Sequence, residues 1–149
     1  YLKRKNSNNF FFISNDMGLA ESSDGNLKTI NAFSLGGLNF KGFDYRGIGP
    51  KQGNVYLGGN KFYTSTIGYG GNFIFDKKDN INFRSFYTIG SIWDSDYSSS
   101  DNVFHRSSIG VSLDILTPVF PISFTYAIPL EKKSSDITKG FNFSLGTSF

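Results

Sequence analysis

The chain has 149 residues, is 38% hydrophobic and 17% aromatic with 17 Phe and 17 Gly, and carries a net charge of +3. Its longest clean apolar run, Phe10 to Ile13, falls far below the roughly 18 residues a membrane-crossing helix needs, which excludes a helical membrane protein. The absence of cysteine removes disulfides, thiolate nucleophiles and Cys-ligated metals. Lys and Arg are scattered, with small clusters such as Lys3 to Lys5 and Lys132–Lys133, so no stripe for nucleic acid forms. Abundant aromatics and Gly with a mean hydropathy of −0.24 suit strands that show one face to lipid and the other to water. The chain opens at Tyr1 without a charged-then-apolar leader, so an export signal is expected upstream.

Period-2 alternation predicts about six strands and no helix. The first covers Asn9 to Ala20, with ambiguous facing. The second covers Phe62 to Phe75, setting Tyr63, Ile67 and Tyr69 against Thr64, Thr66 and Gly68. In the third, Phe83, Tyr87 and Ile89 oppose Arg84, Thr88 and Gly90. The fourth sets Ile109, Val111, Leu113 and Ile115 against Ser108, Gly110, Ser112 and Asp114. The fifth sets Ile122, Phe124, Tyr126 and Ile128 against Ser123, Thr125 and Ala127. The last alternates Phe141, Phe143, Leu145, Thr147 and Phe149 with Asn142, Ser144, Gly146 and Ser148. Such strands, about 9–12 residues long, match a tilted bilayer crossing and exceed the roughly 5–6 residues usual in soluble sheets.

The connections alternate in length: Glu21 to Lys61 long, Asp76 to Asn80 short, Asp94 to Arg106 long, Thr117 to Pro121 short, Glu131 to Gly140 long. That is the plan of an antiparallel transmembrane β-barrel in an outer membrane, with short periplasmic turns and long external loops, and it puts the C-terminus in the periplasm. Small polar residues on the inner face fit a wet lumen. Six strands are too few to close a barrel, the smallest having about eight, so the chain is expected to be the C-terminal part of a larger one. Alone in lipid, with both sheet edges unpaired, it is not expected to fold.

Particular residues narrow the class. Leu35-Gly36-Gly37-Leu38-Asn39-Phe40-Lys41-Gly42-Phe43 resembles the loop motif of the BamA family, whose core is Val-Arg-Gly-Phe, and Arg46-Gly47-Ile48-Gly49-Pro50 is similar to its continuation. Leu57-Gly58-Gly59-Asn60-Lys61 resembles that family's Gly-Gly-Asn entry into the next strand, and Phe86 to Trp93 its aromatic strand ending in Trp. Leu116-Thr117-Pro118, Pro121 and Tyr126-Ala127-Ile128-Pro129-Leu130 look like its last hairpin. Phe141 to Phe149, with Phe143, Leu145 and Gly146, is similar to its C-terminal assembly signal. The ordered matches run from about Phe10 to Phe149.

The resemblance implies an all-β fold in which this chain supplies the last six or so strands of a barrel of about sixteen, preceded by periplasmic repeat domains. It implies a protein of the bacterial outer membrane that folds and inserts other β-barrels, without cofactor or nucleotide. Its partners would be outer-membrane lipid, client barrels and accessory lipoproteins, with no nucleic acid. It also implies a weakly paired seam, with residues 141–149 on one side, where client strands add by edge pairing, as any exposed strand edge invites.

Three positions depart from the family pattern: its motif Arg is Lys41 here, its strand-facing Asp falls at Thr88, and a nearby Glu falls at Gly68. Lys is a point charge without the planar fork of Arg. The loop is therefore expected to dock through Phe43 packing and Gly-permitted backbone contact, with Lys41 bonding Thr88 or carbonyls.

Other candidates read as structural. Asp94, Asp96 and Asp101 lack the spacing, Gly and closing Glu of a calcium loop and are expected on a solvated surface. His105, the single His, makes neither a triad nor a zinc site. Gly68-Tyr69-Gly70-Gly71 has no βαβ context, and Gly49-Pro50-Lys51 lacks phosphate-loop spacing. No catalysis is expected. Tyr87, Trp93 and Tyr97 are candidates for an aromatic girdle at one interface and Phe149 for the other. A translocation or autotransporter-assembly relative, a passive porin and a soluble all-β module are the rival readings; a porin has no need of the Gly-rich loop.

Overall fold

The computed structural model describes residues 2–3, 9–72, 80–98 and 103–146. Its strands are β1 (Leu2–Lys3), β2 (Phe10–Leu19), β3 (Gly42–Phe43), β4 (Lys51–Gln52), β5 (Val55–Tyr56), β6 (Lys61–Gly71), β7 (Ile81–Trp93), β8 (Arg106–Leu116), β9 (Pro121–Glu131), β10 (Thr138–Lys139) and β11 (Phe141–Leu145). One antiparallel sheet runs β1-β2-β6-β7-β8-β9-β11, each long strand pairing with its neighbour in sequence. The expected six-strand meander is present. β7 fills the interval between the expected connections, from Ile81 to Trp93, and the Asp76 to Asn80 turn lies, but for Asn80, outside the described residues.

The long strands have 10 to 13 residues. At about 3.3 Å per residue and a tilt near 45°, eleven residues span roughly 25 Å, the height of an outer-membrane apolar band. Alternation sorts the two faces. Phe11, Ile13, Met17, Ile67, Val111 and Tyr126 lie exposed on one, a contiguous apolar surface that a soluble sandwich would bury against a second sheet. The other face carries Thr64, Thr88, Ser112 and Thr125, all buried. β2, whose facing the sequence leaves ambiguous, turns Ser14 and Asp16 inward and Ile13 and Met17 outward.

The inner face is not simply wet. The 21–60 connection folds back over it and builds a compact core of Leu35, Phe40, Phe43, Ile48 and Ile92, with Phe33 and Phe62 packed alongside. Ile92 and Phe62 come from the wall and the others from the loop. Phe40 and Phe43 meet edge-on with ring centroids 5.1 Å apart, and Phe33 and Phe62 meet tilted at 4.7 Å, within the range where aromatic pairs add to area burial.

A polar ladder follows on the same face. Arg84 pairs with Asp114, Asp114 accepts from Ser123 Oγ at 2.6 Å, and Ser112 and Thr125 hydroxyls meet at 2.7 Å. The β8–β9 register shifts between Ser107 and Ser108, opposite Pro129 to Glu131. Proline cannot donate to a ladder, so an interior strand tolerates it at such an irregularity. The turn from Thr117 to Pro121 is closed by Thr117, whose Oγ1 donates to Phe120 O at 2.6 Å and accepts from Phe120 N at 3.2 Å.

Candidate functional site: a docked loop beside an open strand edge

The loop motif docks by backbone as well as by side chain. Gly42–Phe43 pairs antiparallel with Thr138–Lys139, so the motif is a strand of a second small sheet built with the last long connection. Gly42 has φ 95°, and a Cβ there would stand 3.2 Å from Ser108 Cβ and 3.5 Å from Pro129 N. The loop thus lies on β8 and β9 with no room for a side chain. A Gly42→Ala change is expected to cost about 1–2 kcal/mol for the left-handed backbone alone, read as a lower unfolding midpoint of the full-length protein in detergent.

Lys41 does not bond Thr88, which corrects the sequence expectation. The Thr88 hydroxyl is taken by Thr66 at 2.9 Å, and Lys41 Nζ lies over the Phe86 ring, 5.8 Å from its centroid. Burial first, then the Arg84 guanidinium, push the Lys41 pKa below its ordinary value near 10.5, and Asp114 pulls it back up. Asp114 supplies a carboxylate near Lys41 that the sequence reading did not find, and Arg84 already claims it. At Gly68 the Phe12 ring occupies the space a Cβ would need.

The remaining motif residues hold the loop's shape. Arg46 is half-buried with φ 53°. Gly47 N donates to Asp44 O at 2.8 Å, and Pro50 O accepts from Leu57 N at 2.9 Å. Gly49 has φ 121°. Gly58 and Gly59 are buried, and Gly59 exchanges backbone bonds with Phe33 at 2.9 and 3.0 Å. Asn60 donates from its backbone N to Asp94 O at 2.6 Å and from Nδ2 to Asp96 Oδ1 at 3.0 Å.

Asp96 is exposed, as a surface loop requires, and its other oxygen accepts from Leu27 N at 2.5 Å, tying both ends of the long loop to the next connection. Asp101 lies outside the described residues. Among the described residues, no three His, Asp or Glu side chains gather as a metal site would need. Trp93 meets Tyr63 edge-on at 6.2 Å, and His105 Nδ1 bonds Tyr63 Oη at 2.5 Å, a cluster at the long-loop end of the apolar face. Tyr97 is exposed.

Besides Asp114, the sequence reading missed a second group. Arg106 grips Asp136 with its fork, Nε to Oδ2 at 2.8 Å and Nη2 to Oδ1 at 2.9 Å, the side chains being 2% and 0% exposed. An Arg opening a strand and an Asp in the facing loop were the available signal.

β11 pairs with β9 from Phe141↔Tyr126 to Leu145↔Ile122, and no strand covers its other edge among the described residues. Phe141, Phe143 and Leu145 face outward and Gly146 follows with φ 103°. Phe149 lies outside the described residues. A cleft of about 370 Å³ lies between β11 residues Phe141 to Phe143 and loop residues Leu38, Asp44 and Tyr45.

A lipid-facing antiparallel meander whose inner face carries a folded loop is a sector of an outer-membrane barrel wall. Residues 6–149 match the Omp85 superfamily domain, and the chain belongs to that superfamily. It is 31% identical over 151 residues to "Outer membrane protein assembly factor BamA" of Neisseria meningitidis serogroup B, covering 78% of this chain and 18% of that protein. It is 28% identical over 127 residues to the "Sorting assembly machinery 50 kDa subunit" of Saccharomyces cerevisiae, covering 78% and 26%. The crystal structure of BamA from Haemophilus ducreyi lacking POTRA domains 1–3 superposes with a TM-score of 0.78 at 22% identity, over 91% of this chain and 31% of that one. The chain thus spans about a quarter or less of its curated relatives, and its fold is the BamA barrel fold.

Proposed function

We propose that this chain is the C-terminal barrel sector of an outer-membrane assembly factor that folds and inserts β-barrel proteins into a bacterial outer membrane. The observation that carries the reading is the Gly-rich motif loop latched on the inner wall, with Gly42–Phe43 paired to Thr138–Lys139 and Phe43 in the core beneath it, in a chain of the Omp85 superfamily. On this reading β11 borders the seam, where a strand edge is a template for a further strand. The names of the BamA and Sorting assembly machinery relatives support it.

On this reading the long-loop end faces outward and the C-terminus lies in the periplasm. Residues 141–149 serve as assembly signal and one side of the seam. Lipid, client barrels and accessory lipoproteins are the partners. No bond-making chemistry and no cofactor are assigned.

Depletion of the full-length protein in its own cells is expected to lower the folded levels of several unrelated outer-membrane barrels together while their precursors collect in the periplasm. Loss of one exported protein alone would instead select a specialised translocator or autotransporter-assembly relative. A change in solute flux with normal barrel levels would select a porin.

A further inference from the structure

The last long connection, residues 132–140, is a folded piece with its own anchors. Asp136 takes the Arg106 fork and also accepts from Lys133 N at 2.7 Å. Arg106 Nη1 donates to Phe104 O at 3.2 Å, and its guanidinium lies 5.2 Å from the Phe104 ring centroid. One residue earlier, Ser135 O accepts from Lys51 Nζ at 2.7 Å and Tyr56 Oη at 2.6 Å. One residue later, Ile137 exchanges backbone bonds with Gly47 and Asp44 at 2.9 Å each. Thr138–Lys139 then pairs with the docked motif. Gly140 alone separates β10 from β11. The place where the open-edged strand begins is therefore set by an unbroken run of contacts that starts at Asp136.

A buried ion pair is a poor device for stability, since packed apolar residues of similar volume often do as well. A bidentate fork does fix direction and distance. We propose that Arg106 and Asp136 are positioning residues for strand addition. They hold the last connection against the docked loop, so that β11 starts from a fixed point and presents its edge in one orientation. This rests on the assembly reading above.

The test uses the full-length protein in proteoliposomes, with a small urea-unfolded outer-membrane barrel as client. Asp44 Oδ1 and Lys139 Nζ lie 3.8 Å apart, one on the docked loop and the other on the last connection. These 149 residues contain no cysteine; with any cysteine elsewhere in the full-length protein replaced by Ser, Asp44→Cys with Lys139→Cys and a short thiol cross-linker reports their contact. Asp136→Asn and Arg106→Lys are each expected to lower the cross-link yield several-fold and slow client folding several-fold, with the barrel's own heat-modifiable migration unchanged. Closing the cross-link in the Asp136→Asn protein is expected to restore client folding, a rescue that a merely structural role would not give. Slow client folding with full cross-linking, unchanged client folding, or failure of the closed cross-link to rescue would each overturn the proposal. So would failure of both variants to assemble, which would make the pair a requirement for folding. If the protein with an intact Arg106–Asp136 pair folds no client, the assembly reading itself falls, and the cross-link yields still say whether the two residues hold the connection in place.

Discussion

Replacing Arg106 by Met is expected to be among the most damaging single changes in this chain, costing about 3–5 kcal/mol. The reason is the partner left behind. Asp136 is fully enclosed, and both its oxygens are used by Arg106. Without the guanidinium only the Lys133 amide remains to it, and a buried carboxylate without a counter-charge is far costlier than a lost surface pair. Chemical unfolding of the full-length protein in detergent measures the loss. Adding Asp136→Leu to Arg106→Met should recover a large part of it, because the lone charge is then gone as well. If the single variant were as stable as the parent, the enclosed pair described here would be wrong.

Phe43→Ala is expected to cost a comparable 3–5 kcal/mol, and Lys41→Ala much less. Phe43 is 0% exposed, in a core it shares with Leu35, Phe40, Ile48 and Ile92. Removing the ring opens a cavity that a loop stapled at Gly42–Phe43 to Thr138–Lys139 cannot collapse. Lys41 has the opposite standing. Its pKa is pushed down in the folded protein, so between that lowered value and about 10.5 the unfolded chain holds more protons and its contribution to stability rises with pH. Below that window the folded protein bears the full cost of a partly desolvated ammonium, and deleting the side chain removes that cost along with its contact over Phe86. Parallel unfolding of the two variants at neutral pH separates them; equal losses would restore Lys41 as a docking residue.

Much of the wall was readable because a barrel strand is a local pattern. Ile67, Val111 and Phe143 alternate with small or polar residues for one reason, lipid outside and protein or water inside, and that rule needs no knowledge of neighbours. The short turn closed by Thr117 is likewise local. The loop was legible only through its Gly-rich motif, which signals close backbone approach without saying to what. That Gly42 lies against Ser108 and Pro129, or that Asp96 reaches back to Leu27, joins residues 66 to 87 positions apart, and no period records such pairs. Thr88 shows the same limit. Its hydroxyl was one of two partners offered to Lys41, carbonyls being the other, while the neighbouring strand set Thr66 directly opposite it at the same level of the ladder.

The pairing of Gly42–Phe43 with Thr138–Lys139 also has a bearing on the order in which the molecule is made. Most of the sheet zips between neighbours in sequence, each closing a modest loop. This small ladder encloses nearly a hundred residues and so cannot form until the chain has delivered β10, a late and entropically expensive contact. The aromatic cluster around Phe43 can gather early, from the loop and the ends of β6 and β7. Its final fastening waits for the penultimate strand. The inner loop is therefore locked only once the chain has been made as far as Thr138–Lys139, and a chain stalled or clipped before that point would carry the same loop unlatched.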